Sequence, residues 1–207
     1  MSAAAAMRVE VAPLTPGPLA ERVLDLAATG RAGLSALLGD AAQRQALFRP
    51  RIRPECFLAA TVEGELAGYL SLKLGGRGPF APGFADFRRC YGWRRGLHAF
   101  LVFSAIEARS RALPGGAYVY GIDVLEPFRG RARFPPHGVG GALLLAASAW
   151  AAARGLDRLE AEVRAPASAA LFRRMGARPM TARPFSLGRL LMATAGDYER
   201  LCIPLRG

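Results

Sequence analysis

Apolar residues along the chain follow two spacings, and each spacing predicts one type of secondary structure. Short segments with alternating or continuous apolar residues predict strands over residues 7–11, 57–62, 65–74, 117–125, 159–163, 185–192 and 198–205. Apolar residues three and four positions apart predict helices over residues 18–27, 32–48, 93–112, 139–154 and 166–175. Because the strands and helices are interspersed, we expect an α/β (α+β layered) fold.

Turn and capping residues mark the ends of several of these elements. Glu63-Gly64 separates two predicted strands and is typical of a β-hairpin turn. Pro166 suits the first turn of a helix, and Gly176 suits the position just after a last turn. The chain contains no internal repeat and no linker of biased composition. We therefore expect one domain over residues 7–207, preceded by a disordered tail over residues 1–6.

Composition adds a strongly basic charge to this picture. The chain has 207 residues, of which 52% are hydrophobic, so it can bury a core without disulfides or a structural metal. The formal net charge of +12 comes with 27 arginines and a single lysine, Lys73. The arginines are spread from Arg8 to Arg206 rather than gathered in one stripe. This spread favours a generally basic surface over a nucleic-acid-binding face.

Cysteine and histidine usage predicts a metal-free protein of a reducing compartment. Cys56, Cys90 and Cys202 lack the spacing of a metal site or a redox motif, and only two histidines are present. The N-terminus lacks the basic and long apolar regions of a signal peptide. The longest apolar stretch, residues 138–153, is short for a membrane span. We expect a cytoplasmic protein with no membrane partner.

The segment from residue 117 to residue 176 carries the candidate chemistry. A strand leads through an arginine-containing turn into a helix that opens with Gly138, Gly140 and Gly141. The first N–H groups of a helix have no partner within the helix and attract anions, and glycines let phosphates approach the backbone. Glycines also serve close packing of a helix against a strand, so both interpretations stay open. The segment lacks a Walker A lysine and the Rossmann glycine spacing.

Three stretches of the chain resemble the GNAT superfamily of N-acetyltransferases. Residues 124–131, VLEPFRGR, followed by residues 138–144, GVGGALL, look like its acetyl-CoA signature. Residues 165–177 are similar to its later helix, and residues 87–93 resemble members with a helical insert before the central strand. The resemblance implies a mixed, mostly antiparallel central sheet with splayed central strands, flanked by helices.

The resemblance also implies acetyl-CoA, or another acyl-CoA, as co-substrate. In the family the pantetheine arm pairs with the central strand, and backbone amides at the start of the following helix hold the pyrophosphate. The cofactor-binding residues implied here are Val124, Leu125, Arg129, Gly130, Arg131, Gly138, Val139, Gly140, Gly141 and Ala142. Arg173 and Arg174 are candidates for the 3′-phosphate, and Tyr91, Trp93 and His98 for the acceptor cleft.

The family transfers the acyl group by direct attack of a neutral amine on the thioester, and a base removes the amine proton. Asp123 and Tyr120 on the central strand are the candidate catalytic residues, with Tyr118 and His137 as alternatives. Each has a structural interpretation beside the catalytic one: a strand-end hydrogen bond for Asp123, packing for the tyrosines and a solvated loop for His137.

Two departures from the family pattern bear on catalysis. Residues 132–137 are inserted in the pyrophosphate loop. The family's asparagine position is Ala165, and its tyrosine, often the acid that protonates the leaving thiolate, is Phe172. The cofactor site is thus largely present, whereas the commonest catalytic acid is missing.

We therefore predict an acyl-CoA-dependent N-acyltransferase whose acceptor is a small-molecule or peptide amine. One alternative is a catalytically degenerate domain that binds acyl-CoA as a sensor or scaffold, which the losses at Ala165 and Phe172 would favour. A weaker alternative is a basic nucleic-acid-binding module, which would bind duplexes in a salt-sensitive way. A homodimer stays open.

Overall fold

The computed structural model describes residues 8–30, 34–130, 134, 136–180 and 198–205. Its strands are β1 Val9–Pro13, β2 Phe57–Val62, β3 Glu65–Leu74, β4 Gly116–Val124, β5 Arg158–Val163, β6 Arg178–Pro179 and β7 Glu199–Pro204. Its helices are α1 Pro18–Thr29, α2 Ser35–Leu38, α3 Ala41–Phe48, α4 Phe84–Tyr91, α5 Trp93–Arg109, α6 Gly138–Ala152 and α7 Pro166–Arg174. None of these helices is both long and apolar enough to cross a membrane.

The seven strands form one sheet in the order β1-β2-β3-β4-β5-β7-β6. β4 and β5 are the one parallel pair in the described part of the sheet, and the other neighbours are antiparallel. The expectation of a mixed, mostly antiparallel sheet flanked by helices is therefore confirmed. The chain reaches β5 from β4 through α6, as a parallel connection requires a crossover.

Helices cover both faces of the sheet, and each face has its own apolar cluster. On one face α6 and α7 pack on the strands, with Leu143, Leu144 and Phe172 in the cluster. On the other face α1, α3, α4 and α5 enclose a cluster that includes Phe48 and Phe87. The sheet is thus the middle layer of three.

The two central strands separate part of the way along. Residues 116–119 of β4 pair with residues 158–161 of β5, and the described residues show no pairing between the two strands beyond Val119 and Ala161. β4 remains paired with β3 as far as Val124. The splay expected from the resemblance is therefore present, and it leaves one edge of β4 open from Tyr120 onward.

Tyr120 is the extra residue of a β-bulge in β4. Ser71 of β3 pairs with Gly121 and Leu72 pairs with Val119, so the register between the two strands passes over Tyr120. A bulge of this kind bends the strand and changes which side chains share a face. It lies at the point where β4 and β5 begin to diverge.

Several predicted boundaries differ from the structure. The first strand is residues 9–13 rather than 7–11, and Met7 lies outside the described residues. The single helix predicted over residues 32–48 is wrong, because two helices meet at Gly39 and Asp40. Gly39 has a φ of 77°, which breaks the helix, and the Asp40 carboxylate accepts a hydrogen bond from the Gln43 amide, which starts the next one.

Apolar spacing did not predict α4, although residues 87–93 resemble a helical insert of the family. Its start is stabilised by the Asp86 carboxylate, which accepts a hydrogen bond from the Gly83 amide at 3.0 Å. Gly92, with a φ of 75°, separates α4 from α5, and α5 ends at Arg109 instead of residue 112. The hairpin of β2 and β3 and the final strand β7 are confirmed. The strand predicted over residues 185–192 lies outside the described residues.

A buried ion pair joins β5 to β7. The Glu160 carboxylate is fully buried, and the Arg200 guanidinium binds it at 2.5 Å and 3.2 Å. Arg200 also donates to the carbonyl of Arg111, and the amide of Leu113 donates to Glu160. The pair therefore ties the segment that follows α5 to the sheet.

We expect the variant Glu160→Gln to lower the free energy of unfolding by up to about 3–5 kcal/mol, because it leaves the buried Arg200 charge with only the 3.7 Å contact to Glu162 as a counter-ion. The control is Glu199→Gln in the same strand as Arg200, which breaks an exposed pair with Arg173 and should cost about 1 kcal/mol or less. Urea unfolding of both variants measures the difference. Equal losses would show that burial does not make the Glu160–Arg200 pair more costly to break than the exposed pair.

Candidate active site

A cavity lies between the end of β4, the start of α6 and α7. Its volume is about 330 Å³. Seven of the ten residues predicted to bind the cofactor line it: Val124, Arg129, Gly130, Gly138, Val139, Gly140 and Gly141. The remaining three do not: Leu125 and Ala142 do not contribute to the lining, and Arg131 lies outside the described residues.

The start of α6 forms one wall of this cavity. Gly138 turns the chain into the helix with a φ of 74°, a conformation that favours glycine. The preceding residue, His137, makes no side-chain hydrogen bond that would cap the helix. The first four residues of this 15-residue helix line the cavity, and the helix dipole favours an anion there.

The insertion before α6 is anchored by one aromatic side chain. Phe134 is buried against Phe128, with their ring centroids 6.0 Å apart, and its carbonyl accepts a hydrogen bond from the Gly138 amide at 2.7 Å. These contacts hold the turn that leads into the helix. The insertion is thus compatible with an intact helix start.

Two glycines of the α6 start serve close packing within the protein. A Cβ atom at Gly141 would lie 2.6 Å from the Cβ atom of His137, and one at Gly140 would lie 3.0 Å from Cδ2 of Leu171. Both distances are shorter than ordinary contacts. Of the two interpretations left open by the sequence, packing therefore applies to both glycines, and it brings the helix start close to α7.

The open edge of β4 continues from the helix start. The amide of Leu125 donates to the carbonyl of Ala67 at 2.9 Å, so it faces β3 and is not free to pair with a ligand. Because alternate residues of a strand direct their backbone groups to opposite edges, those of Val124 and Ile122 face the open side. The carbonyl of Val124 accepts a hydrogen bond from Arg129 at 2.8 Å. A ligand that pairs with the backbone at this edge of β4 would therefore bind the backbone groups of Ile122 and Val124.

A second cavity of about 170 Å³ lies between the splayed strands. Tyr120 from β4, Glu162 from β5 and Phe172 from α7 contribute to its walls. Ile122 and Ser168 line both cavities, so the two are adjacent. Together they form a path from the positive start of α6 to the gap between β4 and β5.

Cationic side chains dominate the first cavity. Arg129 and Arg174 line it, and Asp123 is the one carboxylate among the described lining residues. Asp123 lies 3.8 Å from Arg129, and its side chain is 48% exposed. The excess of positive charge, added to the helix dipole, favours a phosphate-bearing ligand.

The two candidate catalytic side chains differ in their surroundings. Asp123 faces solvent beside Arg129 at the first cavity. Tyr120 lies at the second cavity, and its hydroxyl donates a hydrogen bond to the carboxylate of Glu107 on α5. A hydroxyl bound to a carboxylate can pass its proton on when it accepts another.

The alternative proton carriers are less suited to this role. Burial raises the pKa of Tyr118 to about 12, and the nearby Glu162 carboxylate adds to the rise. The Tyr118 hydroxyl therefore stays neutral near pH 7. His137 lines the first cavity at the helix start, where it is placed to contact an anion.

Other predicted ligand contacts are already engaged elsewhere or lie away from the cavities. Arg173 binds Glu199 through two hydrogen bonds, whereas Arg174 lines the first cavity. Tyr91 donates to the carbonyl of Leu38, and Trp93 is 61% exposed on α5. Neither Tyr91, Trp93 nor His98 is among the described residues lining the two cavities, so their assignment to the acceptor cleft is not supported by these cavities.

The sequence analysis missed Ser168, Leu171 and Ile122 as lining residues. Ser168 and Phe172 are four residues apart and therefore share one face of α7. Since the resemblance already directs attention to the position of Phe172, helical spacing could have identified Ser168. Ile122 could not be assigned to the cavity in this way, because the bulge at Tyr120 shifts the alternation of β4.

The comparisons with known proteins agree with this geometry. The family model described as the acetyltransferase (GNAT) family matches residues 31–177, which is more than two thirds of the chain. No curated protein sequence matches the chain.

Solved structures with a similar fold include several acetyltransferases. The apo form of an agmatine N-acetyltransferase mutant has a TM-score of 0.58 at 15% identity, with 95% of this chain and 100% of the other covered. A putative N-acetyltransferase from Lactobacillus plantarum has a TM-score of 0.51 at 16% identity, with 97% and 99% covered. An N-acetylglutamate synthase from Neisseria gonorrhoeae, complexed with coenzyme A and N-acetyl-glutamate, has a TM-score of 0.53 at 13% identity. That match covers 97% of this chain and 36% of the synthase. At these identities the likeness is one of fold.

We expect Gly141→Ala to lower the free energy of unfolding by about 1–3 kcal/mol, because the added methyl group meets the rigid Cβ atom of His137. The control is Gly140→Ala, whose added methyl meets the movable end of Leu171 and should change the free energy by about 1 kcal/mol or less. Urea unfolding measures both. A Gly141→Ala protein as stable as the wild type would show that the helix start does not need this close approach.

Proposed function

Because this chain belongs to the acetyltransferase (GNAT) family and is thereby an N-acetyltransferase, we propose that it transfers the acetyl group of acetyl-CoA to an amine by direct attack. The observation that carries the proposal is the adjacency of the two cavities. The first offers cationic side chains and the positive end of the α6 dipole to phosphates, and the second opens between the splayed strands. A phosphate-bearing thioester fits this path with its acyl end at Tyr120.

The residues have distinct roles in this proposal. The α6 start at Gly138 to Gly141 binds the pyrophosphate, with Arg129 and Arg174 beside it. The open edge of β4 at Ile122 and Val124 pairs with the amides of the pantetheine arm. These contacts orient the thioester and hold its carbonyl near the amine, which lowers the entropic cost of reaction.

The amine nitrogen attacks the thioester carbonyl, and the nitrogen must lose a proton as the C–N bond forms. We assign the acceptance of that proton to Tyr120, whose hydroxyl lies at the second cavity and is bound to a carboxylate. Asp123 is the second candidate, since it is the carboxylate at the first cavity. The exposure of Asp123 and its pairing with Arg129 favour an accessory role in binding for it.

The acceptor is proposed to be a primary amine of a small molecule or peptide. Two fold neighbours are named for agmatine, which is cationic, and for N-acetylglutamate, which is anionic. They therefore leave the charge of the acceptor open. Agmatine, L-glutamate and n-butylamine therefore form a suitable first panel of cationic, acidic and neutral acceptors. Release of thiol from acetyl-CoA in the presence of each amine measures turnover.

We expect acetyl-CoA to bind in calorimetric titration and the variant Gly140→Asp to weaken its affinity by at least about tenfold more than Gly140→Asn does. Both variants add a side chain of similar size, but only the aspartate carries a negative charge that repels the phosphates. The difference between them should shrink as the salt concentration rises. Equal weakening by both variants would place the phosphates elsewhere.

We expect Tyr120→Phe to lower kcat by about 100-fold, because it removes the group that accepts the amine proton. Asp123→Asn should change kcat by less than about threefold, since the side chain is directed at solvent and at Arg129. The thiol-release assay with the best amine of the panel measures both variants. The reverse outcome would transfer the role to Asp123.

A further inference from the structure

Lys73 is the single lysine in a chain with 27 arginines, and it is buried. Its side chain extends from β3 and is 1% exposed. The ammonium donates to the carbonyl of Glu107 at 2.8 Å and to Oε2 of the same residue at 2.5 Å. Gly78 covers the aliphatic part of the chain, since a Cβ there would lie 3.2 Å from Cδ of Lys73. A compact ammonium suits this space better than a branched guanidinium.

The two oxygens of Glu107 therefore have different partners. Oε2 binds the Lys73 ammonium, and Oε1 accepts a hydrogen bond from the Tyr120 hydroxyl. The Lys73 ammonium also lies 5.6 Å from the centre of the Tyr120 ring. Three side chains from β3, α5 and β4 thus meet on the face of the sheet opposite α6, beside the gap between β4 and β5.

The neighbouring charged groups on this face are paired among themselves. Arg109 of α5 binds Glu162 of β5 at 3.2 Å, and Arg200 of β7 lies between Glu162 and Glu160. Tyr118 of β4 faces the same network and stays neutral. The Glu107 carboxylate is therefore directed at Lys73 and Tyr120 rather than at these groups.

We propose that Lys73 and Glu107 are positioning residues that make Tyr120 a two-way proton carrier for the acetyl transfer. The inference rests on the proposed function and deepens it. Burying charged groups costs solvation free energy that offsets their attraction, so the pair of Lys73 and Glu107 adds little net stability to the core. The contact with Lys73 does hold the Glu107 carboxylate so that its Oε1 atom accepts the hydrogen bond of the Tyr120 hydroxyl, next to the second cavity.

The proton transfers balance within this group. As the C–N bond forms, an N–H bond of the amine breaks and its electron pair stays on nitrogen, while the Tyr120 oxygen gains that proton. The original O–H bond of Tyr120 breaks at the same time, and its proton forms an O–H bond with Glu107. The attack moves the C=O π electrons onto oxygen; when the C=O bond re-forms, the C–S bond breaks and its electron pair leaves with sulfur. The reverse transfer through Tyr120, with the proton held on Glu107, then delivers a proton to that sulfur. Lys73 keeps its charge throughout and holds the carboxylate in place.

The test uses four variants of the full chain: Glu107→Gln, Lys73→Met, the double variant and, as a control, Asp86→Asn. Glu107→Gln keeps the size of the side chain but cannot take up a proton, so kcat should fall by about 100-fold while the Kd for acetyl-CoA stays within about twofold. Its rate should also continue to rise with pH where the wild type levels off, because hydroxide replaces the missing acceptor. Asp86 is a buried carboxylate of α4 paired with Arg51 and Arg89, so Asp86→Asn should leave kcat unchanged.

The double variant separates positioning from structural stabilisation. Lys73→Met leaves the Glu107 carboxylate, which is only 18% exposed, without its cation and should lower the melting temperature, whereas the double variant removes both charges and should regain much of it. Activity should stay low in both. If the double variant regained activity together with its melting temperature, the inference would be wrong. A Glu107→Gln protein with the kcat and pH profile of the wild type would also overturn it. Neither outcome would affect the proposed function. A wild type that binds acetyl-CoA but releases no thiol with agmatine, L-glutamate or n-butylamine would overturn the proposed function and the inference together.

Discussion

The short pairing between β4 and β5 is the constraint on which the site depends. Four residue pairs, from Gly116–Arg158 to Val119–Ala161, join the strands, and each strand then stays attached to its outer neighbour instead. Since β4 is hydrogen-bonded to β3 and β5 to β7, the pairing on each outer side keeps the two central strands apart. The buried pair of Glu160 and Arg200 strengthens the attachment of β5 to β7. The sheet can therefore contain an open strand edge at its centre, because β4 keeps its backbone hydrogen bonds to β3 along its other edge.

The gap also connects two chemically different faces of the sheet. On the α6 face, helix N–H groups and arginines form a positive region suited to phosphates. On the α5 face, the partly buried Glu107 carboxylate accepts a hydrogen bond from the Tyr120 hydroxyl, which suits proton transfer. The bulge at Tyr120 lies between them and sets the side-chain alternation of the last part of β4. Binding and proton transfer can thus occupy opposite faces of one strand.

Local patterns predicted much of the fold and of the positive region, because these depend on residues close in sequence. The hairpin of β2 and β3 and the glycine-rich start of α6 are examples. The break at Gly39 was missed because the positive φ of Gly39 and the N-cap at Asp40 interrupt the helix within a continuous apolar pattern. Glu107 could not be identified at all, since Lys73 is 34 residues away in the chain and only the packing of α5 on the sheet brings the two together.

Phe172 gives a reason for the proton chemistry to lie at Tyr120. At this position the family often has a tyrosine that protonates the leaving thiolate, whereas Phe172 is buried and cannot exchange a proton. Phe172 and Tyr120 contribute to the walls of the same cavity, from α7 and from β4. A carrier at Tyr120 that first takes the amine proton and then returns one to sulfur needs no second acid. The loss at Phe172 and the buried pair of Lys73 and Glu107 then have one explanation: a single hydroxyl serves both halves of the reaction.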